Sequence, residues 1–193
     1  MEMPQVYCAG PLFTNSERQE MAEIAGVLEV AGYTTFLPQR DGLEFARLLP
    51  ELQQLTRLSV AADSILQRAI FSLDVFQLLS RSDAVVANIN GRVPDEGTVV
   101  EAALGWLSGK AVVIYKDDSR TVLSGSDHPM LIALGDFRVV NAISELPQAV
   151  SKEIHADRKD RVQKLLEVGR RIADAKQPSQ HNVAASLLAL LTE

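Results

Sequence analysis

Short apolar runs alternate with longer helical patterns along most of the chain. Five of the runs predict strands, and the central ones are continuous apolar stretches that suit strands buried on both faces of a parallel sheet. The five runs cover Gln5–Ala9, Tyr33–Leu37, Asp83–Ile89, Ala111–Tyr115 and Phe137–Val140. Because strands and helices alternate, the pattern predicts an α/β fold, a doubly wound (Rossmann- or flavodoxin-like) parallel sheet of about five strands flanked by helices.

Three helical patterns connect these strands. The first covers Thr14–Gly32, where Thr14 or Asn15 can cap the helix. The second, Ser59–Ser82, carries a repeating apolar face. The third, Thr98–Ser108, is apolar almost all the way round, which predicts a helix that is largely buried.

The segment between the second strand and the second of these helices is harder to assign. Leu48-Leu49-Pro50 is expected to break any helix there, because proline cannot donate a helical hydrogen bond. Residues 42–56 are therefore expected to be irregular, and they can cover a ligand site as a lid.

The C-terminal part of the chain reads as a helical addition. Residues 145–176 contain a strong helical pattern, and 182–191 form a short, very apolar one. We expect an α/β domain over 1–150 and a helical extension over 151–193, packed on that domain or on a partner subunit. An apolar segment of this kind needs a covering surface, which slightly favours the partner and hence a homo-oligomer (a dimer or higher).

Composition excludes several classes of function. An apolar fraction of 47% and a charged fraction of 23% are ordinary for a soluble globular protein. A net charge of -6 argues against non-specific binding to nucleic acid or to anionic membranes. The N-terminus lacks the features of a secretory signal, and no apolar run is long enough to span a bilayer, so a cytoplasmic location is expected.

Metal and cofactor chemistry is also not expected. Cys8 is the only cysteine, which rules out an internal disulfide and a cysteine-based metal site. The three histidines, His128, His155 and His181, have no cysteine or carboxylate cluster at ligand spacing. Phosphate-binding and dinucleotide-binding glycine motifs are missing as well.

Glu101 is the one charged residue of the pattern Thr98–Ser108, just beyond a predicted buried strand. In a structural interpretation, Thr98-x-x-Glu101 forms a capping box that satisfies free backbone N–H groups. In a functional one, the positive end of the helix holds Glu101 ionised at neutral pH, at the sheet edge where open α/β folds bind ligands. Asp95 then faces the same crevice, so that one acid can attack while the other handles a proton. These residues alone favour the structural interpretation, because capping boxes are common and nucleophiles are rare.

Three segments together resemble one enzyme family. They are D-E-G-T-V-V-E-A-A-L-G-W-L-S-G-K (Asp95–Lys110), V-Y-C-A-G-P-L-F (Val6–Phe13) and L-P-Q (Leu37–Gln39). Each is short, but their order and spacing between Val6 and about Arg120 resemble the nucleoside 2-deoxyribosyltransferase family. The resemblance tips the balance toward the functional interpretation.

The resemblance implies roles for seven residues. Glu101 attacks the anomeric carbon of a 2'-deoxyribonucleoside to give a covalent deoxyribosyl-enzyme, while Asp95 holds the sugar or base and helps proton transfer. Tyr7 lies at the mouth of the pocket and helps to orient Glu101. The implied substrate-binding residues are Gly10, Gln39, Asp74 and Gly97, of which Gln39 and Asp74 read the edge of the base.

The position of Asp74 departs from the family pattern. It lies nine residues before Asp83, one residue more than the family normally has. One residue turns a helix by about 100°. Either the end of the helix absorbs the extra residue, or Asp74 points elsewhere.

The implied activity is transfer of a deoxyribosyl group from a small-molecule nucleoside to a free nucleobase, without metal or organic cofactor. An alternative is the related 2'-deoxynucleoside 5'-monophosphate N-hydrolase, which transfers the sugar to water. Asp95 argues against it, because a phosphate prefers hydroxyl and N–H donors to a second negative charge. A further alternative is a non-catalytic module that senses nucleosides or nucleotides.

Overall fold

The computed structural model describes residues 3–56, 59–91, 93–120 and 125–175, and it contains one parallel sheet within them. The strand order is β2-β1-β3-β4-β5, and every pairing is parallel. This confirms the predicted doubly wound sheet. The strands are β1 (Gln5–Ala9), β2 (Thr34–Phe36), β3 (Ala84–Asn88), β4 (Ala111–Tyr115) and β5 (Val139–Val140).

Helices α1 to α6 lie in the connections between these strands, and α7 and α8 follow the last strand. Their bounds are α1 (Asn15–Val30), α2 (Pro38–Asp41), α3 (Phe45–Thr56), α4 (Ser59–Phe76), α5 (Glu96–Leu107), α6 (Pro129–Ile132), α7 (Leu146–Ile154) and α8 (Arg161–Ala175).

The strand alternation divides the core into two clusters, one on each face of the sheet. In β1, Val6 and Cys8 belong to the cluster that contains α1 and α7. Tyr7 and Ala9 belong to the other cluster, which contains residues of α5. This alternation directs Tyr7 toward the face on which Glu101 lies.

The N-terminus of α1 agrees with its prediction. Thr14 is the N-cap, accepting a hydrogen bond from the Glu17 backbone N–H, and Glu17 reaches back to the Thr14 backbone N–H. The capping box fixes the start of α1 directly after the loop that follows β1.

The prediction that Pro50 breaks any helix within residues 42–56 was wrong. Helix α3 covers most of this segment and contains Pro50 in its interior. Proline removes one helical hydrogen bond and strains the preceding turn, but it does not always end a helix. A helical segment therefore stands where an irregular one was expected.

The chain divides into two compact units, Met1–Ala156 and Asp157–Glu193. The predicted boundary after residue 150 falls inside α7, whose Val150 side chain is fully buried in the first unit. The helical pattern predicted over 145–176 is interrupted between α7 and α8, where Asp160 has a positive φ of 59°. The predicted helix over 182–191 lies outside the described residues. No helix within the described residues has the length and apolar character to span a membrane.

Candidate active site

A cavity of about 340 Å³ lies at the carboxyl ends of β1, β2 and β3. Strand β1 pairs with β2 on one side and with β3 on the other, so the cavity occupies the point at which the strand order reverses. Open α/β sheets bind ligands at this position. The lining residues are Gly10, Leu12, Phe13, Arg18, Pro38, Gln39, Leu43, Glu44, Phe45, Ile70, Asp74, Asp95, Gly97 and Glu101.

The structure brings the sequence-predicted site residues together. Six of them line the cavity, and the seventh, Tyr7, donates a hydrogen bond of 2.7 Å from its hydroxyl to Glu101 Oε1. Tyr7 itself is fully buried, and its ring stacks on Phe36 with the ring centroids 5.4 Å apart. The packing holds the Tyr7 hydroxyl in line with Glu101.

The capping residue of α5 is Asp95, so the capping box that was the alternative interpretation at Thr98 is not formed. Asp95 Oδ2 accepts hydrogen bonds from the Thr98 backbone N–H at 2.7 Å and from Thr98 Oγ1 at 2.9 Å. The helix therefore begins at Glu96, two residues earlier than predicted. Glu101 lies in its second turn, where the side chain turns to Tyr7.

Helix α5 is less buried than its composition suggested. Ala102 and Gly105 are buried on the sheet, whereas Val100 and Leu107 are 53% and 64% exposed. A helix packed on one face of a sheet covers only one side, so the remaining apolar residues face outward. The prediction of a largely buried helix was wrong, but the side that carries Glu101 does face the protein.

Burial determines the charge state of Glu101. Loss of solvent raises the pKa of Glu101 to about 7, with smaller contributions in the same direction from Asp74 and Asp95, against a lowering by the Tyr7 hydrogen bond. The expectation that the helix end holds Glu101 ionised is wrong, because the dipole acts mainly on the first turn and Glu101 lies beyond it. Near neutral pH, Glu101 exchanges between its ionised and protonated forms.

Tyr7 remains a hydrogen-bond donor under these conditions. Burial, followed by the charge of Glu101, raises the pKa of Tyr7 far above its usual range. The hydroxyl therefore keeps its proton and stabilises the ionised form of Glu101.

A π-helical turn resolves the position of Asp74. After α4, residues Gln77–Arg81 form this turn, and the Ser82 backbone N–H bonds to the Gln77 carbonyl oxygen, five residues back, at 2.9 Å. Such a turn accommodates one residue more than an α-helix over the same length. The helix end therefore absorbs the extra residue between Asp74 and Asp83, and Asp74 lines the cavity, where burial raises its pKa to about 6.

Two glycines of the site have steric reasons to lack a side chain. A Cβ at Gly10 would lie 2.1 Å from Met21 Sδ, a distance shorter than any allowed contact. A Cβ at Gly97 would lie 3.1 Å from Asp95 Oδ2, close enough to disturb the cap of α5. Both glycines therefore let neighbouring groups approach the backbone closely.

Several lining residues were not selected from the sequence. Arg18 comes from α1, and its Nε donates to the Leu12 carbonyl oxygen at 2.8 Å. Phe13 and Phe45 contribute aromatic rings, of which the first is 82% exposed. The position of Phe13 at the end of the Val6–Phe13 segment was the available signal; Arg18 and Phe45 had none.

Three solved structures are similar to the chain, and the first of them supports the fold. A crystal structure of a conserved protein from Enterococcus faecalis V583 matches with a TM-score of 0.60 and 22% identity, over 78% of this chain and 99% of that chain. A 2-deoxyribosyltransferase from Bacillus psychrosaccharolyticus matches with a TM-score of 0.45 and 17% identity, over 74% and 90%. A CMP N-glycosidase from Clostridium botulinum matches with a TM-score of 0.46 and 13% identity, over 77% and 98%.

Comparison of sequences gives the family. No curated protein sequence matches the chain. The family model of nucleoside 2-deoxyribosyltransferases, in contrast, matches residues 6–179, which include every residue of the cavity. This match supports an enzyme of the glycosyl transferase or glycoside hydrolase type. The chain belongs to the nucleoside 2-deoxyribosyltransferase family.

Proposed function

We propose that this protein cleaves the N-glycosidic bond of 2'-deoxyribonucleosides and transfers the deoxyribosyl group to another nucleobase. The observation that carries the proposal is the position of Glu101. Its carboxyl group lines a cavity and bonds to the Tyr7 hydroxyl, while the backbone N–H of Thr98 is satisfied by Asp95. Glu101 is therefore not occupied in capping the helix, and a substrate in the cavity can reach it.

The proposed reaction is a double displacement. An ionised oxygen of Glu101 bonds to the anomeric carbon while the N-glycosidic bond breaks, and its electron pair leaves with the base. A nitrogen of a second base then attacks the same carbon from the opposite direction, and the bond to the carboxylate breaks. The N–H proton of the second base returns to the acid that protonated the first base, and the original configuration at the carbon is restored. The hydrogen bond from Tyr7 favours the ionised form that the first step requires.

The other acids take supporting roles. Asp95 holds the sugar or base and helps to transfer a proton to the departing nitrogen; its Oδ2 is bonded to Thr98, which fixes the orientation of the carboxyl group. Asp74 and Gln39 read the edge of the base. Because the pKa of Asp74 is raised to about 6, part of its population still carries a proton near neutral pH.

Hydrolysis of a 2'-deoxynucleoside 5'-monophosphate is the second candidate. The observation that favours it is Arg18, a cation in the lining of the cavity. Against it stand the carboxyl groups of Glu44, Asp74, Asp95 and Glu101, which disfavour a dianionic phosphate. The balance of charge supports an uncharged nucleoside.

Product analysis tests the two candidates directly. Wild-type protein is incubated with deoxyinosine plus adenine, and separately with a panel of deoxynucleoside 5'-monophosphates alone, and the products are separated by chromatography. Formation of deoxyadenosine supports transfer. Release of free base from the nucleotides only would support the hydrolase and overturn the transferase proposal.

Intact-mass spectrometry tests the covalent step. With a deoxynucleoside and no acceptor base, we expect wild-type protein to gain the mass of one deoxyribosyl group, whereas Glu101→Gln should gain none. Glu96→Gln is the matched control, because Glu96 is an exposed residue of the same helix and does not line the cavity. An adduct in Glu101→Gln would contradict the assignment of the nucleophile.

A further inference from the structure

The two carboxyl oxygens of Asp95 have different surroundings. Oδ2 accepts two hydrogen bonds from Thr98, one from the backbone N–H at 2.7 Å and one from the hydroxyl, Oγ1, at 2.9 Å. A carboxyl oxygen has two lone pairs, so both lone pairs of Oδ2 are used. This oxygen therefore has none left for a proton or for a ligand.

The other oxygen, Oδ1, remains available. No donor within the described residues bonds to it, and it is not one of their buried atoms that lack a partner, so solvent reaches it. Asp95 itself lines the cavity. A proton on Asp95 is therefore carried by Oδ1, and Oδ1 is the oxygen that Asp95 can offer to a substrate.

Two neighbouring residues keep Oδ2 in its place. The Thr98 side chain is fully buried, so water does not compete for its hydroxyl. Gly97 leaves the necessary space, because a Cβ at this position would lie 3.1 Å from Oδ2, closer than most contacts of a Cβ. Hydrogen bonds from Thr98 and the missing side chain of Gly97 thus fix the same oxygen by independent means.

We propose that Thr98 is a positioning residue for proton transfer, and that it leaves Asp95 with a single proton-carrying oxygen, Oδ1. The proposal rests on the proposed function and adds the atom that moves the proton. As the N-glycosidic bond breaks, its electron pair leaves with the base, the proton of Oδ1 passes to that base, and Asp95 becomes a carboxylate. When the second base attacks, its N–H proton returns to Oδ1 while the bond between Glu101 and the sugar breaks.

The variant Thr98→Val tests this role. Valine has the shape of threonine without the hydroxyl, so one lone pair of Oδ2 becomes free and the proton of Asp95 is no longer confined to Oδ1. A base that is a poor leaving group depends most on the proton that it receives. We expect kcat for a poor leaving base to fall by about tenfold or more, and kcat for a good one to fall by less than about threefold.

Paired substrates measure this difference. The pairs are deoxyuridine with 5-fluorodeoxyuridine and deoxyadenosine with 2-chlorodeoxyadenosine, of which the first serves a pyrimidine site and the second a purine site. In each pair the halogen withdraws electrons and makes the base a better leaving group, while the sugar is unchanged. The ratio of the two kcat values therefore reports proton transfer, and KM is measured beside it to report binding.

Two further variants assign the effect to the hydroxyl group. Thr98→Ser restores a hydroxyl at the same position, so we expect it to return the kcat ratio to that of wild type. Thr34→Val makes the same chemical change at an exposed residue of β2 that does not line the cavity, and it should keep the wild-type ratio. An equal loss on both substrates of a pair would show that Thr98 serves only the stability of α5, and would overturn the proposal.

The remaining outcomes separate this inference from the proposed function. If Thr98→Val does not fold, Gly97→Ala displaces the same oxygen through its new Cβ and should raise the kcat ratio instead. Turnover by wild type with an unchanged ratio in the folded variant would refute the inference and leave the proposed function in place. No cleavage of any nucleoside by wild type would refute both.

Discussion

Two groups of carboxylates lie at the carboxyl ends of the strands, on opposite faces of the sheet, and they differ in their hydrogen-bond donors. On the α1 face, the two oxygens of Glu20 accept from the side-chain amides of Asn88 and Asn90, at 2.9 and 2.7 Å. Asp118 accepts from the Gly91 backbone N–H and pairs with Arg120. The donors of Arg120 hold the pKa of Asp118 below its ordinary range.

On the α5 face the acids have few donors and little solvent. Glu101 accepts from Tyr7, and both Glu101 and Asp74 have raised pKa values, mainly because they are buried. The first group is bonded to donors from the loops, whereas Glu101 and Asp74 of the second group line the cavity. If the proposed function is right, the hydrogen-bond partners and the burial of an acid, rather than its type, distinguish the catalytic acids from the structural ones.

The largest expected effect is the loss of activity in Glu101→Gln. If Glu101 is the nucleophile, turnover should fall by about a thousandfold or more, because the amide cannot form the intermediate. Steady-state rates against the control Glu96→Gln measure this. Turnover within tenfold of wild type would show that Glu101 is not the nucleophile and has a structural role, like the acids of the α1 face.

The same variant should be more stable than wild type at pH 8. The pKa of Glu101 is raised in the folded state, so its favourable contribution is present in full below the unfolded pKa, near 4.5, and is lost as the pH rises through about 7. The amide of Glu101→Gln does not ionise, so this variant does not lose stability through residue 101 as the pH rises. Denaturant unfolding at pH 5 and pH 8 checks it: wild type should lose stability between the two values by more than Glu101→Gln does.

Asp74→Asn should have the next largest effect on activity, a decrease of about a hundredfold, since the titrating carboxyl group that contacts the nucleobase is lost. The charge of Asp74 also raises the pKa of Glu101, so the acid limb of the kcat/KM profile should move to lower pH in this variant. Profiles measured from pH 5 to pH 9 decide the matter. An unchanged acid limb would show that Asp74 does not influence the pKa of Glu101.

Tyr7→Phe should reduce activity by about tenfold, the loss expected for one hydrogen bond to a charged group. Since the bond lowers the pKa of Glu101, its removal should shift the acid limb to higher pH, opposite to the shift for Asp74→Asn. The stacking on Phe36 is retained, because the ring is unchanged. The opposite signs of the two shifts distinguish electrostatic effects from general damage to the site.

The smallest effect on chemistry should come from Asn90→Ala, on the other face. Asn90 Oδ1 accepts from the backbone N–H groups of Asp117 and Asp118, and its Nδ2 donates to Glu20. We expect about 1–3 kcal/mol of lost stability from the unpaired groups, with less than a tenfold change in activity and an unmoved acid limb. A moved acid limb would show that the two carboxylate groups are coupled through the sheet.

The sequence was sufficient for the sheet because the buried strands are marked by local composition. Strands β3 and β4 consist almost entirely of small and β-branched apolar residues, and β3 and β4 are fully buried as predicted. Helix α1 was recognised for a similar reason, since its cap and its apolar face are visible within a short stretch of sequence. Signals confined to a few neighbouring residues are visible before the chain is folded.

The surroundings of the acids were not visible in the same way. The bond between Tyr7 and Glu101 joins residues 94 positions apart, and the raised pKa of Glu101 follows from burial by parts of the chain that no local pattern connects. The capping box at Thr98 was plausible from spacing alone, but Asp95 starts the helix earlier and satisfies Thr98 itself. The effect of Pro50 was also not visible, because it depends on whether the helix remains stable after the loss of one backbone hydrogen bond.

The π-helical turn at Gln77–Arg81 makes the length of this region adjustable. An additional residue in a regular α-helix would rotate the side chains that precede it relative to the next strand. Here the π-helical turn accommodates the additional residue locally. Removal of one residue from the bulge should restore a regular α-helix and leave the orientation of Asp74 intact. The chain can thus be shortened at this point without a change in the direction of the Asp74 side chain. The same feature allows helix α4 to be exchanged with that of a relative whose helix is one residue shorter.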